Sequence, residues 1–240
     1  MNKFLKMVMI SLCLVLAVSA AVFAQDASKI TIEDANVYTY SDDNFNAKIV
    51  TPKISGMADE AKQKDLNDYF AKTAADLQKQ FEDEKSEAIA EGTATPNTYG
   101  LPHFGYTFTY EVVTDTDKIF AFDTQIFYAA GSSSTDTQYF TIDKSDGHLV
   151  TLAELFPSGT DYMTAISDYV RAQMTELNKD GNHAYYEGTD LDDAFKSIPT
   201  LNHYYVDDKG GLVVFFDKYQ VAPGAYGRST FVIPGIVYGK

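Results

Sequence analysis

The 240-residue sequence has no tryptophan and a single cysteine, Cys13. Cys13 lies inside an N-terminal apolar run. A chain that loses this run has no thiol, which excludes a disulfide framework, a thiol nucleophile and a cysteine metal site. Outside the reducing cytoplasm such a chain rests on its apolar core alone. Histidine is also scarce. His103, His148, His183 and His203 are the full set, and no two are spaced as a metal pair on one helix or strand. Positive charge is in short supply, with 19 Lys and Arg against 34 Asp and Glu, a net charge of −15. A field of that sign repels nucleic acid and anionic membrane and speeds encounter with a basic partner. An acidic surface also keeps a protein in solution, with no partner needed.

Catalytic motifs are missing too. The chain has no G-x-S-x-G elbow, no supported S-x-x-K and no glycine-rich loop with phosphate-binding spacing. Asn178-Lys179-Asp180-Gly181-Asn182 hints at a calcium loop, but the sixth and twelfth positions are His183 and Thr189 rather than Gly and Glu, so the match fails. No cofactor or metal ligand set emerges.

What is present begins with a targeting pattern. Lys3 and Lys6 precede an apolar run from Met7 to Phe23, and Val22 and Ala24 precede Gln25. This is the arrangement of a secretory signal cleaved after Ala24, and an acid-containing polar stretch follows at once. Leu12 before Cys13 is too large for a lipoprotein box. Cleavage removes two lysines and leaves 17 basic against 34 acidic residues, a mature charge of −17 with no stable membrane anchor. Periplasm and secretion both fit.

Along the remaining chain, Asp26 to Ser28 is a polar lead. Asn36 to Tyr40 and Ala47 to Ile54 read as strands around a Ser41–Asn44 turn, with Pro52 suited to an edge or bulge. From Asp59 to Glu91 the period becomes helical: Leu66, Phe70, Ala74, Leu77, Phe81 and Ala88 mark one buried face. Gly92 to Pro102 breaks the helix. Phe104 to Val112 alternates, while Ile119 to Tyr128 is apolar on both faces, and the two predict a hairpin with a covered second strand. Gly131 to Ser134 reads as a loop, Thr137 to Asp143 as a strand, and Lys144 to Gly147 as a turn. Thr151 and Glu154 have capping-box spacing before a short helix ending near Phe156. A helix starting at Thr160 or Asp161 buries Tyr162, Ile166, Tyr169, Val170, Met174 and Leu177. Thr189 is placed to cap a helix through Asp190 to Ser197. His203–Val206 and Leu212–Asp217 form a second hairpin, and Ser229–Ile233 a last strand.

Tyr and Phe are abundant, at 17 and 16. Most alternate in strands and belong to a core. The exception is Tyr219-Gln220-Val221-Ala222-Pro223-Gly224-Ala225-Tyr226-Gly227, rich in small and turn-forming residues. It reads as a crossover loop into the last strand or as a binding loop held by a rigid scaffold. The candidate binding residues are Tyr219, Pro223, Tyr226, Gly227 and Arg228.

Phe216 to Gly227 resembles the F-x-x-Y-x-[IV]-A-P-[YG]-x-x-G pattern of the extracytoplasmic domain of RsiV-type anti-sigma factors. Asp146-Gly147 leading to Leu152-Ala153-Glu154-Leu155-Phe156 supports it. Ala47 to Phe127, with Pro52-Lys53-Ile54-Ser55-Gly56 before the long helix and Asn67 within it, is similar to the PdaC-type domain that usually precedes it. The resemblance implies an α+β fold outside the cytoplasm and, for the RsiV-type part, binding of lysozyme, a basic protein. No stretch resembles the deacetylase domain of PdaC-type enzymes or the sigma-binding segment of anti-sigma factors. Tyr128 to Ser133 departs from the family's Gly-Gly-Ala-His run, so the histidine is missing.

The expectation is an α+β protein with largely antiparallel sheets, one long helix in the first half and shorter helices in the second. Its divisions are a signal at 1–24, a PdaC-type domain at 25–127 and an RsiV-type domain at 128–240. The expected function is an exported cell-envelope binding module, not an enzyme, whose ligand is a basic envelope protein such as a lysozyme, or cell-wall glycan. The alternative is a glycan- or peptidoglycan-acting enzyme with paired carboxylates, for which Glu111, Asp123 and Glu154 are the candidates.

Overall fold

A computed structural model describes residues 29–95, 103–188 and 191–238. The signal segment with its cleavage position, the polar lead at 26–28, the Pro102 end of the helix-breaking stretch and the capping Thr189 lie outside them. Among the described residues no helix is long and apolar enough to cross a membrane.

The first five strands form one sheet in sequence order: β1 (Thr31–Ser41), β2 (Phe45–Ser55), β3 (Phe104–Asp115), β4 (Ile119–Ala130) and β5 (Ser132–Asp143). All pairs are antiparallel except β2 and β3, which run parallel over Phe45–Ile49 and Phe104–Phe108. A parallel pair needs a crossover, and α1 (Glu60–Ala90) supplies it. Asp59 caps α1 by accepting from the Lys62 N–H at 2.9 Å. The stripe read from the sequence is the buried one. Leu66 and Phe70 lie on Phe120, Phe122, Phe140 and Ile142, while Phe81 and Ala88 lie on Phe45, Phe104 and Tyr106, so the helix crosses the sheet diagonally. Pro52 sits beside the β1 bulge at Asp34–Asn36, beyond the stretch of β2 that pairs with β3, where no ladder bond is lost.

β4 is buried at every position from Ile119 to Thr124, the apolar Ile119–Phe122 and the polar Asp123 and Thr124 alike, but the cover expected as far as Tyr128 stops there, and Phe127 is exposed. Phe120 and Phe122 face α1. Ile119 and Ala121 face Val206 of a second sheet. The expected loop at Gly131–Ser134 is corrected: Gly131, at φ +71, turns the chain by itself, and Ser132–Ser134 already pair with Tyr128–Ala130.

The second sheet has the order β6 (Tyr204–Val206), β7 (Gly211–Phe216), β8 (Ser229–Val237), all antiparallel. α2 (Tyr162–Leu177), capped by Asp161, and α3 (Asp192–Thr200) cover one face. Ile166, Val170, Met174, Phe195 and Ile198 pack there on Leu212, Val214, Phe216, Phe231 and Ile233. α3 runs three residues past the expected Ser197. Thr151–Glu154 forms the expected capping arrangement, with the Thr151 N–H donating to Glu154 at 2.6 Å, on a single 3-10 turn. The fold is α+β with antiparallel-dominated sheets, as read.

The opposite face of the second sheet meets the edge of the first. The outward main-chain groups of β5 are capped from the second half. Thr137 N–H donates to Asp217, Tyr139 N–H to the Asn202 carbonyl, and the Thr141 carbonyl accepts from Val150. An edge strand that would otherwise template aggregation is thereby covered. Tyr139 stacks on Tyr205, centroids 4.6 Å apart, and meets Phe215 edge-on at 4.7 Å.

Candidate functional site

The loop joining β7 to β8 runs from Asp217 to Arg228. Phe216 and Ser229 are paired neighbours in the ladder, so the loop leaves and returns at one place. It is fastened from within and from below. The Asp217 N–H donates to Gln220 Oε1 at 2.6 Å, and the Gln220 N–H returns to the Asp217 carbonyl at 3.1 Å. Val221 and Ala222 are buried, and the Val221 carbonyl accepts from Tyr186. Pro223 leads into a 3-10 turn over Gly224–Tyr226, which Gly227 ends at φ +68.

Tyr219 takes φ +76, a left-handed conformation uncommon for a bulky residue, and is 55% exposed. Its ring lies so close over Gly224 that a Cβ there would stand 2.2 Å from the ring, and the Lys218 ammonium sits 4.9 Å from the ring centroid. Tyr226 is 44% exposed. Of the residues singled out in sequence, Tyr219 and Tyr226 thus stand outward, Pro223 and Gly227 shape the turn, and Arg228 points inward.

Arg228 enters a polar seam between the two sheets that sequence reading missed. Its Nη2 donates to Thr137 Oγ1 at 2.5 Å, its Nη1 to the Tyr139 hydroxyl at 3.2 Å, and its Nε lies 3.7 Å from Asp217 Oδ1. The guanidinium covers the Phe215 ring at 5.2 Å. Asp217, 9% exposed, accepts from the Thr137 N–H at 3.2 Å, and His203 Nε2 is 3.6 Å from its Oδ2. Burial pushes the Asp217 carboxyl up to about 6, an effect only partly offset by Thr137 and Arg228. Burial, with Arg228 nearby, pushes His203 down to about 4, so the imidazole is neutral at pH 7. Its Nδ1 is buried without a hydrogen-bond partner. A hint existed in the sequence: Asp217 closes the apolar run Leu212–Phe216, where a solvated acid would not be expected.

Of the three carboxylates proposed for acid–base chemistry, Glu154 stands apart from the other two. Glu154 is spent on its cap. Asp123 and Glu111 are directly opposed on β4 and β3. Asp123 is 2% exposed, its Oδ2 accepts from Gln125 at 3.0 Å, its Oδ1 has no partner, and burial raises its carboxyl. His148 pairs with Asp146 at 2.6 Å at the turn after β5.

Two sheets, one crossed by a long helix and the other backed by short ones, with a pinned loop over their seam, define an α+β architecture that other chains share. Residues 38–131 match the family described as Deacetylase PdaC, and residues 153–235 match a protein family of unknown function, DUF3298. The chain is 32% identical over 193 residues to the anti-sigma-V factor RsiV of Bacillus subtilis strain 168, a match covering 80% of this chain and 64% of that protein's length. Solved structures of DUF3298 family members from Bacteroides fragilis NCTC 9343 and Pseudomonas aeruginosa PAO1 share the fold. Their TM-scores are 0.57 and 0.53 at 14% and 11% identity, covering 87% of this chain and 91% and 92% of theirs. The chain therefore carries a PdaC-type N-terminal domain followed by an RsiV-type DUF3298 domain.

Proposed function

We propose that this chain is an exported binding module of the cell envelope, which holds a basic protein of lysozyme type on the loop from Tyr219 to Arg228. One observation carries the reading. Two tyrosine rings stand out from a loop anchored by the buried Asp217, Val221 and Ala222 and by its own hydrogen bonds, one of them from a left-handed backbone. Sparsely populated conformations persist where the surroundings over-determine them, and such places cluster at ligand clamps. Tyrosine presents a large rigid face at little entropic cost. The likeness to RsiV and the mature charge of −17 support a cationic partner, which the field would draw in. Calorimetry of the protein, purified from an exporting host, with hen-type lysozyme at two salt concentrations tests it. Binding that survives moderate salt is expected. Absence of heat at both salts removes the reading.

A second reading is an enzyme acting on glycan or peptidoglycan through Asp123 and Glu111. The favouring observation is the buried Asp123 carboxyl, raised and with one oxygen unpartnered, opposite a second acid. Release of soluble fragments from peptidoglycan, lost in Asp123→Asn, supports it. No release from any cell-wall preparation removes it.

A further inference from the structure

A cavity of about 300 Å³ lies between α2 and the segment that joins it to α3. Met174 and Leu191, each 2% exposed, give it an apolar floor, and Arg171, Thr175, Tyr186 and Glu187 complete its lining. The segment is fastened at two points. Asn178 exchanges hydrogen bonds with the Tyr185 main chain at 2.8 and 2.9 Å, and the Tyr186 N–H donates to the Val221 carbonyl at 2.8 Å. Tyr186, 40% exposed, is thus a third outward tyrosine, tied by its main chain to the loop that carries Tyr219 and Tyr226. We propose that this cavity receives an arginine side chain of a cationic partner, with Glu187 as its counter-ion.

The charges of the lining set the sign of the occupant. Arg171 is engaged within the chain. Its Nη1 donates to the Gly188 carbonyl, its Nη2 to Asp192 at 2.6 Å, and its guanidinium lies over the Phe195 ring at 4.8 Å. The Thr175 hydroxyl donates to the Arg171 carbonyl at 2.9 Å. Glu187 has no comparable partner. It accepts from Asn178 Nδ2 at 3.4 Å, longer than an ordinary N–H···O bond, and forms no ion pair among the described residues. The cavity therefore holds one uncompensated carboxylate beside apolar surface. A long side chain with a cationic head answers both parts: methylenes on Met174 and Leu191, and the head between the carboxylate and the Tyr186 ring. Arginine suits this better than lysine, because a guanidinium pairs flat with a carboxylate, stacks on an aromatic face and sheds its water more readily. The volume is at the lower end for ligand pockets, which fits one side chain rather than a folded segment.

That the arginine belongs to a cationic protein rests on the reading above, but the pocket is tested without one. The wild-type protein is titrated with N-acetylarginine methylamide to about 50 mM, enough to detect millimolar binding, and its amide NMR signals are followed. The same titration with the citrulline analogue, equal in shape and uncharged, is the control. The expected result is saturable shifts centred on Thr175, Tyr186, Glu187 and Leu191 with the arginine probe and not with citrulline. Glu187→Gln, which keeps an oxygen for Asn178, should weaken arginine uptake about fivefold. No saturable shift, equal shifts with citrulline, undiminished uptake by Glu187→Gln, or shifts spread evenly over other acidic surface overturns the proposal. Arginine uptake by a protein that binds no lysozyme keeps the pocket and removes the lysozyme reading. Lysozyme binding without arginine uptake does the reverse.

Discussion

Asn67 and Ile54 exchange two hydrogen bonds. The Ile54 N–H donates to Asn67 Oδ1 at 2.8 Å, and Asn67 Nδ2 donates to the Ile54 carbonyl at 2.9 Å. A side chain on α1 thus does what a neighbouring strand would do, at the stretch of β2 that β3 has left. Asn67→Ala orphans both main-chain groups. Each costs about 1 kcal/mol or more when partly buried, so a loss of about 2–3 kcal/mol is expected. Urea unfolding measures it as a lower midpoint with unchanged slope. Asn67→Asp keeps the acceptor and loses the donor, and should fall between. A loss below 0.5 kcal/mol in the alanine variant (about the size of a neutral surface change) would mean that water replaces the side chain.

Tyr219 separates binding from stability. Glycine adopts φ +76 freely, whereas an L side chain pays for it by about 1 kcal/mol. Tyr219→Gly should therefore leave thermal stability unchanged or slightly raised while removing the ring. Lysozyme affinity should fall at least tenfold. A variant that is stable and binds as wild type does would take Tyr219 out of the binding surface. One that unfolds would make the ring a scaffold element.

Gly147 joins the two ends of the first sheet's cover. It takes φ +80 in the turn after β5, and a Cβ there would stand 2.5 Å from the Asp59 nitrogen and 2.9 Å from the Ala58 nitrogen, at the cap of α1. Backbone cannot yield as a flexible side chain can. Gly147→Ala combines a left-handed strain with a main-chain clash, and a loss of roughly 2–4 kcal/mol is expected. The exposed glycine of the β4–β5 turn, Gly131, has the same sign of φ and open space. Gly131→Ala should cost only the conformational part, about 1 kcal/mol. Equal losses at the two sites would show that α1 shifts to make room.

Much of this architecture was legible in the residues because it depends on local period. The steps of three and four between Leu66 and Ala88 fixed the buried face of α1, and the apolar residues on both faces from Ile119 announced a strand covered twice, which holds as far as Thr124. The rings of Tyr219 and Tyr226 were legible as aromatics stranded among glycine and proline. The seam was not. Asp123, Thr137, His203, Asp217 and Arg228 come from separate strands and their flanks, and no spacing links them. Only the packing of the second sheet on the edge of β5 brings them together. The parallel pairing of β2 with β3 was hidden for the same reason: period reports which face is buried, not which strand lies alongside.

The seam also predicts a pH response that the wild-type protein conceals. Asp217 has its folded value raised from 3.8 to about 6, so its contribution to stability is full below the ordinary carboxylate value and is lost as pH rises through about 6. His203 has its folded value lowered from 6.5 to about 4, so its contribution is full above 6.5 and is lost as pH falls through about 4. The two slopes oppose each other between pH 4 and 6 and nearly cancel. Asp217→Asn removes one of them. Relative to wild type, whose other carboxylates including Asp123 titrate in both proteins, the variant should lose stability on going from pH 6.5 to 4. Near-complete burial leaves the effect unscreened, at about 1.4 kcal/mol per pH unit, or about 3 kcal/mol in all. His203→Gln should show the opposite difference, gaining on wild type as pH falls from 6 to 4. Chemical unfolding across this range decides it. Parallel stability curves for wild type and both variants would mean that neither group titrates in the folded seam, and the opposed pair would have to be abandoned.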